Sequence, residues 1–366
     1  MTTAPPRPQL ADPAPTDSER AKRRRLVLVT TALSVALVVS VPAAIALGAS
    51  VIPLRETAHF LGVALTGGVI TPDEVPRYSV VWEVRAPRVL LAVLLGAGLS
   101  VIGVALQAMV RNALAEPFVL GISSGASVGG SAVVIFGMTA GLGVYTVSAA
   151  ALVSALVAAA LVYLAARTSA GLTPLRLVLT GIAMAYGFQA LTGLLVFLSP
   201  NYTDAVTSVL FWLMGSLGGA TWGALPPAAV GVVTCVVVLL WRSRTLDVLS
   251  LGDETAASLG VDAARTRRWM FVLTSVVTGL LVAVSGAVGF VGLIMPHLVR
   301  MVVGSSHRRV LVVAPLAGAV FMVWADVVAR TFFSPQELPL GVVTALVGVP
   351  VFVVLLRRRG YLFGGR

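Results

Sequence analysis

Apolar runs long enough to cross a bilayer follow one another along the chain, parted by short polar breaks in which most of the arginines sit. A crossing helix needs about 20 mainly apolar residues. If each basic cluster marks the cytoplasmic side, as the charge bias of membrane proteins dictates, the clusters bound these stretches: Arg25 to Arg111, Arg111 to Arg167, Arg176 to Arg242, Arg268 to Arg300 and Arg309 to Arg357. Both ends of each stretch lie inside, so each predicts a pair of crossings. The expected fold is all-α, a polytopic membrane protein of about ten transmembrane helices with both termini cytoplasmic. Outer turns are expected over 51–86, near Gly141, over 200–224 and at Ser334, Pro335 and Gln336. The stretch from Arg268 to Arg300 is too long for one straight span and too short for two. It predicts a full helix followed by a short, broken one, with Gly286, Gly289, Gly292 and Pro296 supplying the breaks. Irregular backbone at that depth is tolerated only where protein or a water-filled cavity covers it.

Residues 1–25 stand apart. Pro5, Pro6, Pro8, Pro13 and Pro15 among polar neighbours leave residues 1–19 too little apolar area to order themselves. With Arg20, Lys22, Arg23, Arg24 and Arg25 they make a disordered basic cytoplasmic tail. The apolar run that follows is too long for the core of a signal peptide and predicts an uncleaved first span. Residues 26–366 then form a single transmembrane domain. Its unusual inner connection, about 245–265, carries Asp247, Asp253, Glu254 and Asp262 among arginines. It predicts one or two short surface helices broken by Gly252 and Gly260, a face able to receive a soluble partner.

Composition narrows the class. With 58% hydrophobic and 11% charged residues, the chain cannot clothe a soluble domain of this length. A net charge of +11 invites nucleic acid, yet Lys22 is the only lysine and the arginines lie between apolar stretches, which is membrane topology and not a DNA-binding face. Cys235, alone in an apolar run, excludes a disulfide framework and a cysteine metal site.

No GxxxxGK[ST] motif occurs, so any ATP-driven work needs another polypeptide. An ion-coupled carrier is the rival, and it requires ionisable groups at mid-membrane. Asp326 and His297 are the candidates, but Asp326 stands four residues before Arg330 and shares a helix face with it, which predicts a structural ion pair. An intramembrane serine protease would need Ser123 or Ser124 beside His297. Gly121, Gly125 and Gly129, spaced for close helix approach, make that segment a packing face or smooth channel wall instead, with Ser124 on it. Gln107 and Gln189 are further polar groups at depth, placed as interhelical hydrogen-bond donors or pathway groups. All but five of the 26 basic residues fall inside; Arg55, Arg77, Arg85, Arg88 and Arg330 are left at the outer surface.

After residue 26 nearly the whole chain resembles the FecCD family of ABC transporter permeases, which includes importers of ferric siderophores, haem and cobalamin. The residues that carry the resemblance are Arg85-Ala86-Pro87-Arg88 followed by Gly96, Gly98, Gly103 and Gln107; Arg111 to Pro117 with Leu120 to Ala126; Leu251 to Val261; Gly289 to His297; Asp326 with Arg330; and Glu337 to Gly341 before Thr344, Gly348 and Pro350. Ala113 departs from the proline usual there. The resemblance implies a transmembrane subunit of a binding-protein-dependent importer, in a prokaryotic cytoplasmic membrane, most simply for ferric siderophores, with haem or cobalamin as alternatives. It implies a second permease subunit, two ATPase subunits that carry the ATP and Mg²⁺, and an extracytoplasmic substrate-binding protein, with no cofactor and no catalytic residue in this chain. By the same resemblance Leu251, Gly252, Asp253, Glu254, Ala257, Leu259, Gly260 and Val261 form the coupling element that seats in the ATPase. Arg85, Arg88 and Arg330 are implied to meet acidic residues of the binding protein, and substrate passes between two permeases.

Overall fold

The computed structural model describes residues 17–137, 143–168 and 171–357. The expected tail 1–16 and the turn near Gly141 lie outside them. Helix α1 (Asp17–Ala46) begins before the basic cluster, so residues 17–25, expected as tail, are its first turns. Arg and Lys are good helix formers, and the apolar run behind them extends the same helix.

The outer segment after α1 is more ordered than a loop. It holds α2 (Leu54–Thr66), α3 (Val75–Ser79) and a π-helical turn over Val80–Arg85 that runs straight into α4 (Ala86–Val110). Then come α5 (Ile122–Phe136), α6 (Thr146–Ala166) and α7 (Pro174–Phe197). The expected outer loop at 200–224 contains a further helix, α8 (Tyr202–Leu213), ahead of α9 (Leu225–Trp241). Two short helices, α10 (Ser243–Ser250) and α11 (Asp253–Ser258), make the inner connection, as expected. The rest is α12 (Ala263–Ser285), α13 (Val291–Val303), α14 (His307–Thr331) and α15 (Leu340–Arg357). Among the described residues seven helices are long and apolar enough to cross a membrane, and α5, α13 and α15 are shorter apolar helices.

The expected break stands between α12 and α13. Gly286 leaves α12 with φ 66°, and the chain stays irregular to Phe290. Pro296, expected as a breaker, lies inside α13; the proline has no N–H to give the Gly292 carbonyl one turn back, and that oxygen takes the Gln107 side-chain amide instead at 3.2 Å.

Helix α4 is the centre of the fold: it packs against α9, α12, α13 and α14, and nearly every residue from Leu95 to Val110 is buried. Glycines set how closely these helices approach. A methyl on Gly96 would stand 2.1 Å from the Gly318 carbonyl oxygen of α14, and one on Gly103 2.0 Å from that of Gly292 in α13. In contrast α7 leaves Leu175, Leu179, Tyr186, Leu194 and Phe197 exposed, an apolar face without a partner among the described residues.

Candidate functional site

The inner connection is clamped to the helices above it by its own carboxylates. Asp253, at the start of α11, accepts hydrogen bonds from both terminal nitrogens of Arg267, one of them 2.9 Å long, and lies 3.6 Å from Arg111. Arg267 is 1% exposed and also donates to the carbonyls of Met109 and Leu172. The Arg267 hydrogen bonds hold the Asp253 carboxyl below the usual carboxylate range. Asp247 on α10 takes the backbone N–H of His307 at 2.9 Å and stands 2.7 Å from its Nδ1. Burial pushes Asp247 up, but the His307 hydrogen bonds outweigh it and the net direction is down.

Gly252 at φ 115° and Gly260 at φ 78° end the two short helices in a conformation that costs glycine little. Leu251, Glu254, Ala257 and Leu259 then face outward; Val261 is half-buried. Among the expected coupling residues, Asp253 is thus turned toward its own chain. The Asp247–His307 clamp was not foreseen: the two residues are far apart in sequence, and only the fold joins them.

Of the five arginines expected at the outer surface, Arg55 and Arg77 are exposed, but the three expected to meet a binding protein lie inside the chain. Arg85 and Arg88 are each 6% exposed and Arg330 is 5%. Arg85 donates to the carbonyls of Ile45, Ala46 and Ser50, and Arg330 to those of Ala44 and Leu47. These carbonyls belong to the C-terminal end of α1 and the residues just beyond it, where oxygens lack intrahelical partners and the helix dipole is negative. Arg88 donates to Asp326 at 2.8 Å and grips Glu337 with two bonds, 2.8 and 2.9 Å. The expected Asp326–Arg330 pair is present at 3.2 Å, close enough to attract but not aligned as a hydrogen bond. Charge bias assigns arginines to a side of the membrane and says nothing of depth, which is why their burial was missed.

The polar groups expected at depth divide into two sets. Gln107 is fully buried; it donates to the carbonyls of Gly292 and Leu293, each at 3.2 Å, and accepts from Arg300. It is a clasp between α4 and α13 and does not line the cavity that holds Gln189. Gly125 and Gly129 face α6, where Cβ atoms on them would strike Ala158, Ser154 and the Ala150 carbonyl, and Gly121 starts α5 at φ 74° against α7. Ser124 and Gln189 do come together. With Ser127, Thr192, Tyr202 and Ala287 they line a cavity of about 520 Å³ between α5, α7 and α8. His297 lines a different cavity at the inner helix ends, apart from the one that Ser124 lines. Among the described residues no group of His, Cys, Asp and Glu is arranged to hold a metal.

Comparison with known proteins places this geometry. The sequence model of the FecCD transport family matches residues 28–358. The chain is 42% identical to the cobalamin import system permease of Halobacterium salinarum, over 76% of this chain and 74% of that one. It is 39% identical to the hemin transport system permease of Yersinia pestis, with 76% and 84% covered. Against the Fe(3+) dicitrate transport system permease FecD of Escherichia coli the identity is 38%, with 77% and 86% covered. A solved structure described as an inward-facing metal-chelate type ABC transporter superposes with a TM-score of 0.76 at 34% identity, covering 90% of this chain and 98% of that one.

Proposed function

The chain belongs to the FecCD transport family, and from that premise we propose that it carries a ferric chelate of the siderophore class across a prokaryotic cytoplasmic membrane. It is a permease subunit of an ABC importer. The observation that carries the finer reading is the cavity of Ser124 and Gln189 beside the uncovered apolar face of α7. One chain builds only one wall there. A second permease, identical or paralogous, placed against α7 completes a pathway lined by hydroxyl and amide groups, which suit the polar rim of a metal chelate. Seven long and three shorter apolar helices make ten crossings in this reading, with both termini inside.

Energy comes from two ATPase subunits, which bind ATP and Mg²⁺ themselves. They seat on Leu251, Glu254, Ala257 and Leu259, and an extracytoplasmic binding protein docks at the outer face. Arg85, Arg88 and Arg330 serve that face from within by fixing α1, α4, α14 and the Glu337 loop to one another. Hydrolysis moves the inner element and the cavity opens to each side in turn; the substrate undergoes no chemistry here. Cobalamin is the second reading, favoured by the 42% identity to the Halobacterium protein.

Co-purification tests the seat. Leu251→Asp with Leu259→Asp puts charge on both exposed apolar residues without touching the Arg267 clamp. The expected outcome is normal membrane insertion with loss of the ATPase from the purified complex. Full retention of the ATPase contradicts the assignment.

A further inference from the structure

We infer that Glu116, in the turn between α4 and α5, is a positioning residue that links the coupling element to the floor of the translocation cavity. The inference rests on the importer reading above. It starts from a backbone outlier: Phe290, at the N-terminus of α13, has φ 69°. A bulky side chain in the left-handed region is held there only by its surroundings. The Phe290 N–H donates to the Glu116 carboxylate at 3.1 Å, across 174 residues of sequence, and a carboxylate is favoured at that end of a helix. Neighbours of Glu116 follow the same course. Pro117 lies 3.7 Å from the site of a Cβ on Gly292, and the Phe118 ring 3.6 Å from one on Gly289. The turn is therefore wedged against the break between α12 and α13.

Each end of this wedge reaches a functional part. Its first residue, Arg111, also in the left-handed region at φ 53°, lies 3.6 Å from Asp253 of the coupling element, and Arg267 ties Asp253 to the Met109 carbonyl just before it. At the far end Phe118 and, across the break, Ala287 line the cavity of Ser124 and Gln189. Phe290 in turn packs where Gly348 of α15 leaves room. A shift of α11 is thus delivered through Arg111 to the wedge, and through the Glu116 bond to the start of α13. Without that bond the turn and α13 move separately, and ATP turnover no longer reshapes the cavity.

The test uses the permease–ATPase complex in lipid nanodiscs with Cys235→Ala as background and Gly193→Cys as reporter. Gly193 lines the cavity, and a Cβ there meets nothing within 4 Å. The rate of labelling by a water-soluble maleimide is measured with and without ATP plus vanadate. In the parent complex the nucleotide changes the rate. In Glu116→Ala, ATP hydrolysis continues while the nucleotide-dependent change falls at least about tenfold, the scale of a lost hydrogen bond to a charged group. Glu116→Gln keeps an acceptor oxygen and retains most of the response. Adding Phe290→Asn to Glu116→Ala relieves the backbone strain, since asparagine tolerates this region, and restores folding yield without restoring the response. A full response in Glu116→Ala or in the double variant, or its loss in Glu116→Gln, overturns the proposal. A parent complex without any nucleotide response overturns the importer reading itself, and the relay with it.

Discussion

Arg88 holds two carboxylates at once, Asp326 inside the fold and Glu337 at its edge, and Asp326 also faces Arg330. Removing the shared counter-charge leaves two guanidiniums buried without it. Breaking a buried pair in this way costs about 3–5 kcal/mol. Asp326→Asn is therefore expected to lower the thermal unfolding midpoint of the purified protein sharply. Arg77→Ala, which removes the exposed pair with Glu56, costs less than about 1 kcal/mol and serves as the control in the same melting experiment. Part of this cluster was legible: the four-residue spacing of Asp326 and Arg330 predicts their pairing. Glu337 was not, because no local pattern joins it to Arg88, 249 residues away.

At the scale of elements, the inner connection responds to pH through its carboxyls. Arg267 depresses Asp253 below its ordinary value, and His307 does the same for Asp247 after burial is overcome. A depressed carboxyl contributes stability above its unfolded value, about 3.9, and loses it as pH falls through the lower folded value. Hydrogen exchange of the α10 and α11 amides, corrected for intrinsic rates, is thus expected to hold constant between about pH 5 and 8 and to rise below about pH 4. Protection that fades between pH 8 and 6 would contradict the carboxyl clamps. The long helices were legible because apolar length and basic ends are local signals. Helices α2 and α8 were not: each sits in a segment too short or too polar to read as a crossing, and both were expected as outer loops. The break after α12 was visible in its glycines, yet its cover, the Glu116 wedge, comes from a turn distant in sequence.

At the scale of the whole molecule, the proposed reading takes the apolar face of α7 and the open cavity beside it as one wall of a pathway that a second chain completes. The family was legible from long motifs in order. The polar groups at depth were only half legible: Gln107 and Gln189 look alike in sequence, but α4 is surrounded and α7 is not, so Gln107 clasps α13 and lines the cavity of His297, whereas Gln189 lines the cavity of Ser124. The most direct measurement is uptake by proteoliposomes that hold this chain with its ATPase and binding protein, with a ferric hydroxamate, haemin and cobalamin offered in parallel. The account predicts accumulation of the ferric chelate that requires ATP on the ATPase side, stops with vanadate, and is absent, along with all ATP hydrolysis, when this chain is reconstituted alone. Accumulation driven by a proton or sodium gradient without ATP, or ATP hydrolysis by this chain alone, would contradict it.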